Sequence, residues 1–354
     1  MKIALVAPPL LPVPPLRYGG IERIVGVLAE GLRARGHEVT LFAPGDSRVS
    51  CDLVATVTAG LWNDGFHHDP RPYYRRTTEM VLEAATRFDV VHGHLDQHGF
   101  DLAELSPVAI VSTVHGRTDI DPIAGCIVRH PDTPLVAISN SQRAFAPVGN
   151  WVATVHHGLP FEGVTAGTGD GGYLCFVGRL SADKGVAEAV ALARRAGRLL
   201  KIAAKAIDPG ERKIYDTIVA PAEREGVVEF MGELDESERD ELFGSALATI
   251  MLSRWPEPFG LVAIESLATG TPVIAARSGA LPEIVIDGSD GFVVDNIDAG
   301  AAAVELVARL DRARIRASAL ERFSAARMID SYVAVYESVV RDRITGISKE
   351  ADVT

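Results

Sequence analysis

The chain has 354 residues, 47 acidic against 35 Lys and Arg for a formal net charge of −12, and a 47% hydrophobic composition with only 6% aromatics and 33 glycines. That length corresponds to about two domains, each large enough for its own core, and the aliphatic, glycine-bearing composition argues against a disordered or fibrous chain. The negative balance argues against a nucleic-acid binder, which needs clustered Lys and Arg to neutralise phosphates, but leaves room for a local basic pocket.

The apolar start from Ile3 to Leu16 is broken by Pro8, Pro9, Pro12, Pro14 and Pro15, so it reads neither as a signal peptide nor as part of a spanning helix. Cys51, Cys126 and Cys175 are odd in number and widely spaced, with no C-x-x-C or Cys/His metal pattern, and read as small core thiols of a reducing compartment. The expectation is a cytoplasmic protein, with peripheral contact to the inner face of the membrane allowed.

Short apolar runs alternate with helical patterns along the whole chain, the signature of βαβ units and parallel sheets. In the first half, strands are expected at Ile3–Ala7, Val39–Ala43, Val90–His94, Ala109–His115 and Leu135–Ser139, with a helix from about Ile21 to Arg35 stopped by Gly36. The stretch FEGVTAGTGDGG, Phe161 to Gly172, has no periodicity and reads as a linker. After it, strands at Tyr173–Val177, Leu200–Ala204, Val227–Phe230, Ala248–Leu252 and Val273–Ala276 alternate with helices near Gly185–Ala196, Glu211–Glu225, Glu236–Ser245 and Gly260–Thr269. The tail from Arg316 to about Arg343 reads as one long amphipathic helix, with Phe323, Ile329, Tyr332, Val333 and Tyr336 among its apolar positions. No fixed-period repeat or low-complexity segment is present.

The expected architecture is α/β: two doubly wound domains, 1–165 and 166–335, with 336–354 as the end of a helix crossing between them. Ligands of such sheets bind at the carboxyl ends of the strands, which directs attention to the loops after strands. In SRWPEPFGLVAIESLATGTP, Glu257 sits in a loop shaped by Pro256, Pro258 and Gly260, and Glu265 lies eight residues on. Eight residues turn a helix by roughly 80° beyond two full turns, so the loop must aim Glu257 independently. The helix that starts near Gly260 offers free N–H groups to an anion.

This segment, followed by GALPEIV, resembles the donor-site motif of retaining family-four glycosyltransferases of the GT-B fold. The resemblance extends, in the family's order, through YGGIER (Tyr18–Arg23), FVGRLSADKG (Phe176–Gly185), FMGEL (Phe230–Leu234) and DGSDGFVV (Asp287–Val294). It implies two facing Rossmann-like domains with a cleft between them, and transfer of a sugar from a nucleoside diphosphate, UDP- or GDP-linked, to a hydroxyl-bearing sugar, lipid or small-molecule acceptor. It implies no cofactor and no metal. By resemblance Glu257 holds sugar hydroxyls, Glu265 the ribose, Arg179 and Lys184 the departing diphosphate, and His115 the donor sugar. Met231, Leu234, Phe259, Gly260 and Leu261 complete the nucleotide site, and Gly19 and Gly20 let a phosphate or sugar approach the backbone before the first long helix.

Two positions depart from the family pattern: His157–Gly158 stands where Asn-Gly is usual, and Lys205 replaces a small glycine. Other readings of the same residues stay open. Glu257 and Glu265 could serve glycoside hydrolysis if suitably spaced; Asp119 and Asp121 form a D-x-D pair able to bridge a divalent cation to a diphosphate; and a binding protein without turnover would keep the donor motifs. His92 and His94, with His98 nearby, lack a matching acidic or Cys ligand for a metal site.

Overall fold

The computed structural model describes residues 1–16, 19–63 and 69–351, with side chains as far as Thr345. Tyr18 of the YGGIER motif lies outside the described residues. The chain forms two units, Met1–Pro160 joined by Ser324–Thr354, and Phe161–Phe323. The chain leaves the first unit at Pro160, against 165 expected, and returns at Ser324, against 336 expected.

The first unit is built on seven parallel strands: β1 (Lys2–Val6), β2 (Glu38–Ala43), β3 (Asp52–Ala55), β4 (Val90–Gly93), β5 (Ala109–Val114), β6 (Leu135–Ala137) and β7 (Trp151–Thr154), in the order β3-β2-β1-β4-β5-β6-β7. All six residues of β5 are buried, as a central parallel strand covered by helices on both faces requires. The helix Gly20–Ala34 buries Ile24, Val25, Leu28, Ala29 and Leu32, one apolar stripe at helical spacing, and Gly36 follows with φ 81°.

The second unit carries six parallel strands: β8 (Leu174–Val177), β9 (Leu200–Ala203), β10 (Val228–Gly232), β11 (Ala248–Met251), β12 (Val273–Ala276) and β13 (Gly291–Val294), ordered β10-β9-β8-β11-β12-β13. Three strands absent from the sequence expectation, β3, β7 and β13, all lie at or beside a sheet edge and have only four residues each. β3 and β7 are only partly covered, with little continuous apolar run to announce them.

The tail is two helices, Arg312–Arg322 and Ala325–Ala351, not one. The break falls where Ser324 bridges to Leu159 and the Ala325 amide donates to the Leu159 carbonyl, a long-range pairing with no local sequence signal. A Cβ at Gly158 would lie 2.2 Å from the Ser324 carbonyl oxygen, so this position needs glycine even though His157 replaces the usual asparagine before it. The last helix packs closely enough on the first that a Cβ at Gly31 would meet Ile329 Cδ1 at 2.0 Å. The expected helix Glu211–Glu225 contains a π-helical stretch, Tyr215–Val219, just before Pro221, whose missing N–H cannot continue the α ladder. Among the described residues, no helix is long and apolar enough to cross a membrane.

Candidate active site

In the second unit the strand order reverses between β8 and β11, and the loops leaving their carboxyl ends flank that switch point. They touch: a Cβ at Gly185 (φ 75°) would sit 1.9 Å from the Leu252 carbonyl oxygen, and the Arg254 amide donates to the Asp183 carbonyl at 2.8 Å. This juxtaposition puts Lys184 against Glu257. Its Nζ lies 2.9 Å from Oε1 and 2.8 Å from Oε2, and 4.9 Å from the centre of the Trp255 ring. Glu257 is 6% exposed and also accepts from Ser253 Oγ (3.2 Å) and Trp255 Nε1 (3.1 Å). A buried carboxylate is tolerated when it is paired and hydrogen-bonded in this way.

The backbone of Glu257 is clamped as well. The Ala280 amide donates to the Glu257 carbonyl (2.8 Å) and Ser278 Oγ to that of Trp255 (2.7 Å). Gly279, with φ 58°, lies so close that a Cβ there would sit 2.2 Å from the Glu257 nitrogen. The GALPEIV segment thus acts as the support of the carboxylate loop.

On the same loop as Lys184, two donors are buried without an acceptor among the described residues: Arg179 Nε and Ser181 Oγ. Arg179 makes one loose contact through Nη2, 3.9 Å from Asp183. Buried donors left unsatisfied are uncommon and ask for an acceptor-rich partner.

Glu265 is 9% exposed, on the helix Leu261–Ala268, and faces Arg239 Nη2 at 3.4 Å. Arg239 also donates through Nη1 to the Leu234 carbonyl (3.3 Å), so it ties together two residues expected in the nucleotide site. Gly260 caps this helix with φ 100°, and Leu261 is its first residue. Phe259 is 2% exposed and its ring packs edge-on against Phe323. Met231 and Leu234 line a cavity of about 650 Å³ bounded by Tyr173, Lys201 and Glu229, a wall that does not include Lys184 or Glu257. Lys205 sits half-buried two residues beyond β9.

In the first unit the corresponding reversal lies between β1 and β4. Gly19 caps the helix Gly20–Ala34 with φ 156°, and a Cβ there would be 2.7 Å from Pro15 Cβ. Glu22, in the first turn, is buried, and desolvation raises its carboxyl to about 7. Asp96, after β4, holds a left-handed φ of 46°, a strained position for a residue with a Cβ. Its Oδ1 accepts from the amides of His115 (2.7 Å) and Gly116 (3.3 Å), while desolvation raises the carboxyl to about 6.

His115, just past β5, belongs to a column of imidazoles. His92 and His94 lie 4.0 Å apart between ring centres with their planes tilted by 44°, His94 Nδ1 is 2.9 Å from His115 Nε2, and His115 stacks on His157 at 5.2 Å. Desolvation holds all four rings neutral, His92 and His115 down at about 3 and the other two well below the usual value. His92 is satisfied by Tyr336 and Thr113, both at 2.7 Å, and His98 stacks on Tyr74, so the three histidines weighed for a metal do not converge on one point. Of the D-x-D pair, Asp119 is held bidentately by Arg117 and Asp121 accepts the Gly125 amide.

Ser181, Ser253, Trp255, Arg239, His94, Asp96 and Glu22 were not expected as site residues. Ser181, Ser253, Trp255 and Glu22 lie inside the quoted motif segments; Arg239, His94 and Asp96 are brought in by pairing with residues distant in the chain.

Two doubly wound parallel sheets, one carrying a paired Lys–Glu and unsatisfied donors at its switch point, are the framework of a GT-B glycosyltransferase. The comparisons agree: residues 18–155 match the family described as Glycosyltransferase Family 4 and residues 165–322 that described as Glycosyl transferases group 1, and the chain belongs to these glycosyltransferases. It is 29% identical to a glycogen synthase of Mycobacterium tuberculosis, over 89% of this chain and 87% of that protein. It is 28% identical to a D-inositol 3-phosphate glycosyltransferase of Mycolicibacterium smegmatis, over 92% and 87%. Among solved structures, a glycosyltransferase involved in avilamycin A biosynthesis is similar with a TM-score of 0.74 and 29% identity, covering 96% of this chain and 98% of that one.

Proposed function

We propose that this glycosyltransferase moves a sugar from a UDP- or GDP-linked donor to a hydroxyl acceptor, retaining the anomeric configuration and using no metal ion. The observation that carries the reading is the pair of buried, acceptorless donors, Arg179 Nε and Ser181 Oγ, on the loop that also holds Lys184. A diphosphate offers only acceptors and negative charge, and would satisfy all three. Glu257 accepts from the sugar hydroxyls, Glu265 from the ribose, and Met231 and Leu234 lie towards the base. His115 meets the donor sugar, with Gly19 and Gly20 allowing close approach.

In the reaction the bond from the anomeric carbon to the diphosphate oxygen breaks as the bond to the acceptor oxygen forms on the same face. The acceptor's proton passes to the departing diphosphate, whose growing charge Arg179 and Lys184 stabilise. Preorganised donors of this kind are worth about 3 kcal/mol each. Hydrolysis by the two glutamates fits less well, because it leaves the clasp of the Glu257 carboxylate by Lys184, Ser253 and Trp255, and the neighbouring unsatisfied Arg179 and Ser181 donors, without a role. The engagement of Asp119 by Arg117 likewise supports the metal-free reading over a D-x-D transferase.

The test is a thermal-shift and transfer screen with UDP-, GDP-, ADP- and TDP-sugars, run with and without a chelator. A ligand at a hundred times its dissociation constant adds about 2.7 kcal/mol of stability. Stabilisation by one nucleotide class and chelator-resistant transfer with retained configuration support the proposal; loss of turnover on chelation, or binding without transfer to any acceptor, contradicts it.

A further inference from the structure

The hydrogen bond between His94 and His115 has a direction, and the surroundings of His94 choose it. His94 is fully buried, and its Nε2 has no partner among the described residues. Its Nδ1 lies 2.9 Å from His115 Nε2. Neutral imidazole carries one proton, so two arrangements exist. If His115 Nε2 donated, the His94 proton would sit on Nε2, a buried N–H with nothing to receive it. If His94 Nδ1 donates, the atom left over is a bare lone pair. A buried donor without an acceptor is the rarer and costlier defect.

We propose that His94 is a positioning residue that donates from Nδ1 to His115 Nε2, fixing His115 with its proton on Nδ1 and making it an obligatory hydrogen-bond donor to a hydroxyl oxygen of the bound sugar. The identity of that ligand rests on the function proposed above; the tautomer does not. Several contacts hold the arrangement rigid. His92, tied at both nitrogens to Thr113 and Tyr336, packs against His94, and Thr113 Oγ1 is in turn 2.9 Å from the hydroxyl of Tyr332. On the far side His157 stacks on the His115 ring, while Asp96 fixes the His115 amide. His115 Nδ1 makes no hydrogen bond to the described residues and is not among the fully buried atoms without a partner, so it is left for a ligand.

The assignment removes one role. A ring whose Nε2 accepts from His94 and whose Nδ1 carries the proton has no lone pair for an acceptor hydroxyl, so His115 is not the general base, consistent with the acceptor's proton leaving on the diphosphate.

The experiment is a nitrogen-15 NMR spectrum of the histidine-labelled protein, which reads which ring nitrogen bears the proton, paired with transfer kinetics of two variants. The parent should show His115 protonated on Nδ1 and bare on Nε2. His94→Asn, whose side-chain amide can donate from nearly the place of Nδ1, should keep that pattern and hold kcat within about fivefold of the parent. His94→Leu should give mixed His115 tautomers and a kcat lower by tenfold or more, at unchanged fold by circular dichroism. A bare Nδ1 on His115 in the parent overturns the proposal whatever the kinetics, as does equal loss of kcat in the Asn and Leu variants. The spectrum needs no substrate, so a chain that transferred no sugar would sink the functional reading while the tautomer was still decided.

Discussion

The two switch points handle charge in opposite ways. At the ends of β8 and β11, Lys184 and Glu257 keep opposite charges in a mutual clasp, beside Arg179 and Ser181 whose donors have no acceptor. Around the ends of β1, β4 and β5, desolvation removes charge, from four imidazoles held neutral and from Glu22 and Asp96, whose carboxyls rise to about 7 and about 6. A site that receives a diphosphate has use for retained charge. Under the proposed function, neutral rings and half-neutralised acids suit hydroxyls, which are recognised by the direction of hydrogen bonds.

The largest effect should come from breaking the charged side. Lys184→Met keeps the apolar stem and removes the cation, so turnover should fall by about 10²-fold or more while donor affinity changes less, because the diphosphate's charge grows as the sugar leaves. Single-turnover transfer at saturating donor, paired with equilibrium binding, measures both. Turnover within threefold of the parent would make the Lys184–Glu257 pair a structural ion pair and nothing more.

Next is the support behind that pair. Gly279→Ala asks a side chain to adopt φ 58° against the Glu257 backbone, and should cost about 1–3 kcal/mol of stability and displace the carboxylate. Denaturant unfolding and transfer rate together check it: an undiminished rate would show that Glu257 does not need this clamp.

The uncharged side is sharpened by Glu22→Gln. Its carboxyl is raised from 4.5 to about 7, so above pH 7 the folded chain carries a buried carboxylate that the unfolded chain holds in water. Removing it should raise stability by about 1–3 kcal/mol at pH 8, with the gain shrinking as pH falls and gone below about 4.5, where both states are protonated. Thermal melts across pH 4–8 read this directly; a gain that grew towards acid pH would reverse the assigned shift.

How much of this was legible in the sequence follows the same division. Lys184, Glu257 and Glu265 stand in motifs whose spacing is carried by one strand and one loop, and the glycines around them answer to backbone approaches that a Cβ would block. Central strands showed as apolar runs, whereas β3, β7 and β13, each at a sheet edge, were not picked out. Arg239, tied to Glu265 from another helix, left no local signal. His94 was visible only as H-x-H, a metal-like pattern, because its partner His115 is 21 residues away. The tail read as one helix, since the Leu159–Ser324 bridge that divides it joins distant segments.

Under the proposed function Glu257 and Glu265 grip opposite ends of a nucleotide sugar, and calorimetry with the nucleoside diphosphate alone separates the two roles. UDP and GDP are titrated into the parent, Glu257→Ala and Glu265→Ala. Binding of the preferred diphosphate should weaken by about tenfold or more in Glu265→Ala, the loss of one buried hydrogen-bonded contact to the ribose, and stay within threefold in Glu257→Ala, which loses a contact only the sugar makes. Equal losses in the two variants would contradict the division of labour on which the functional reading stands.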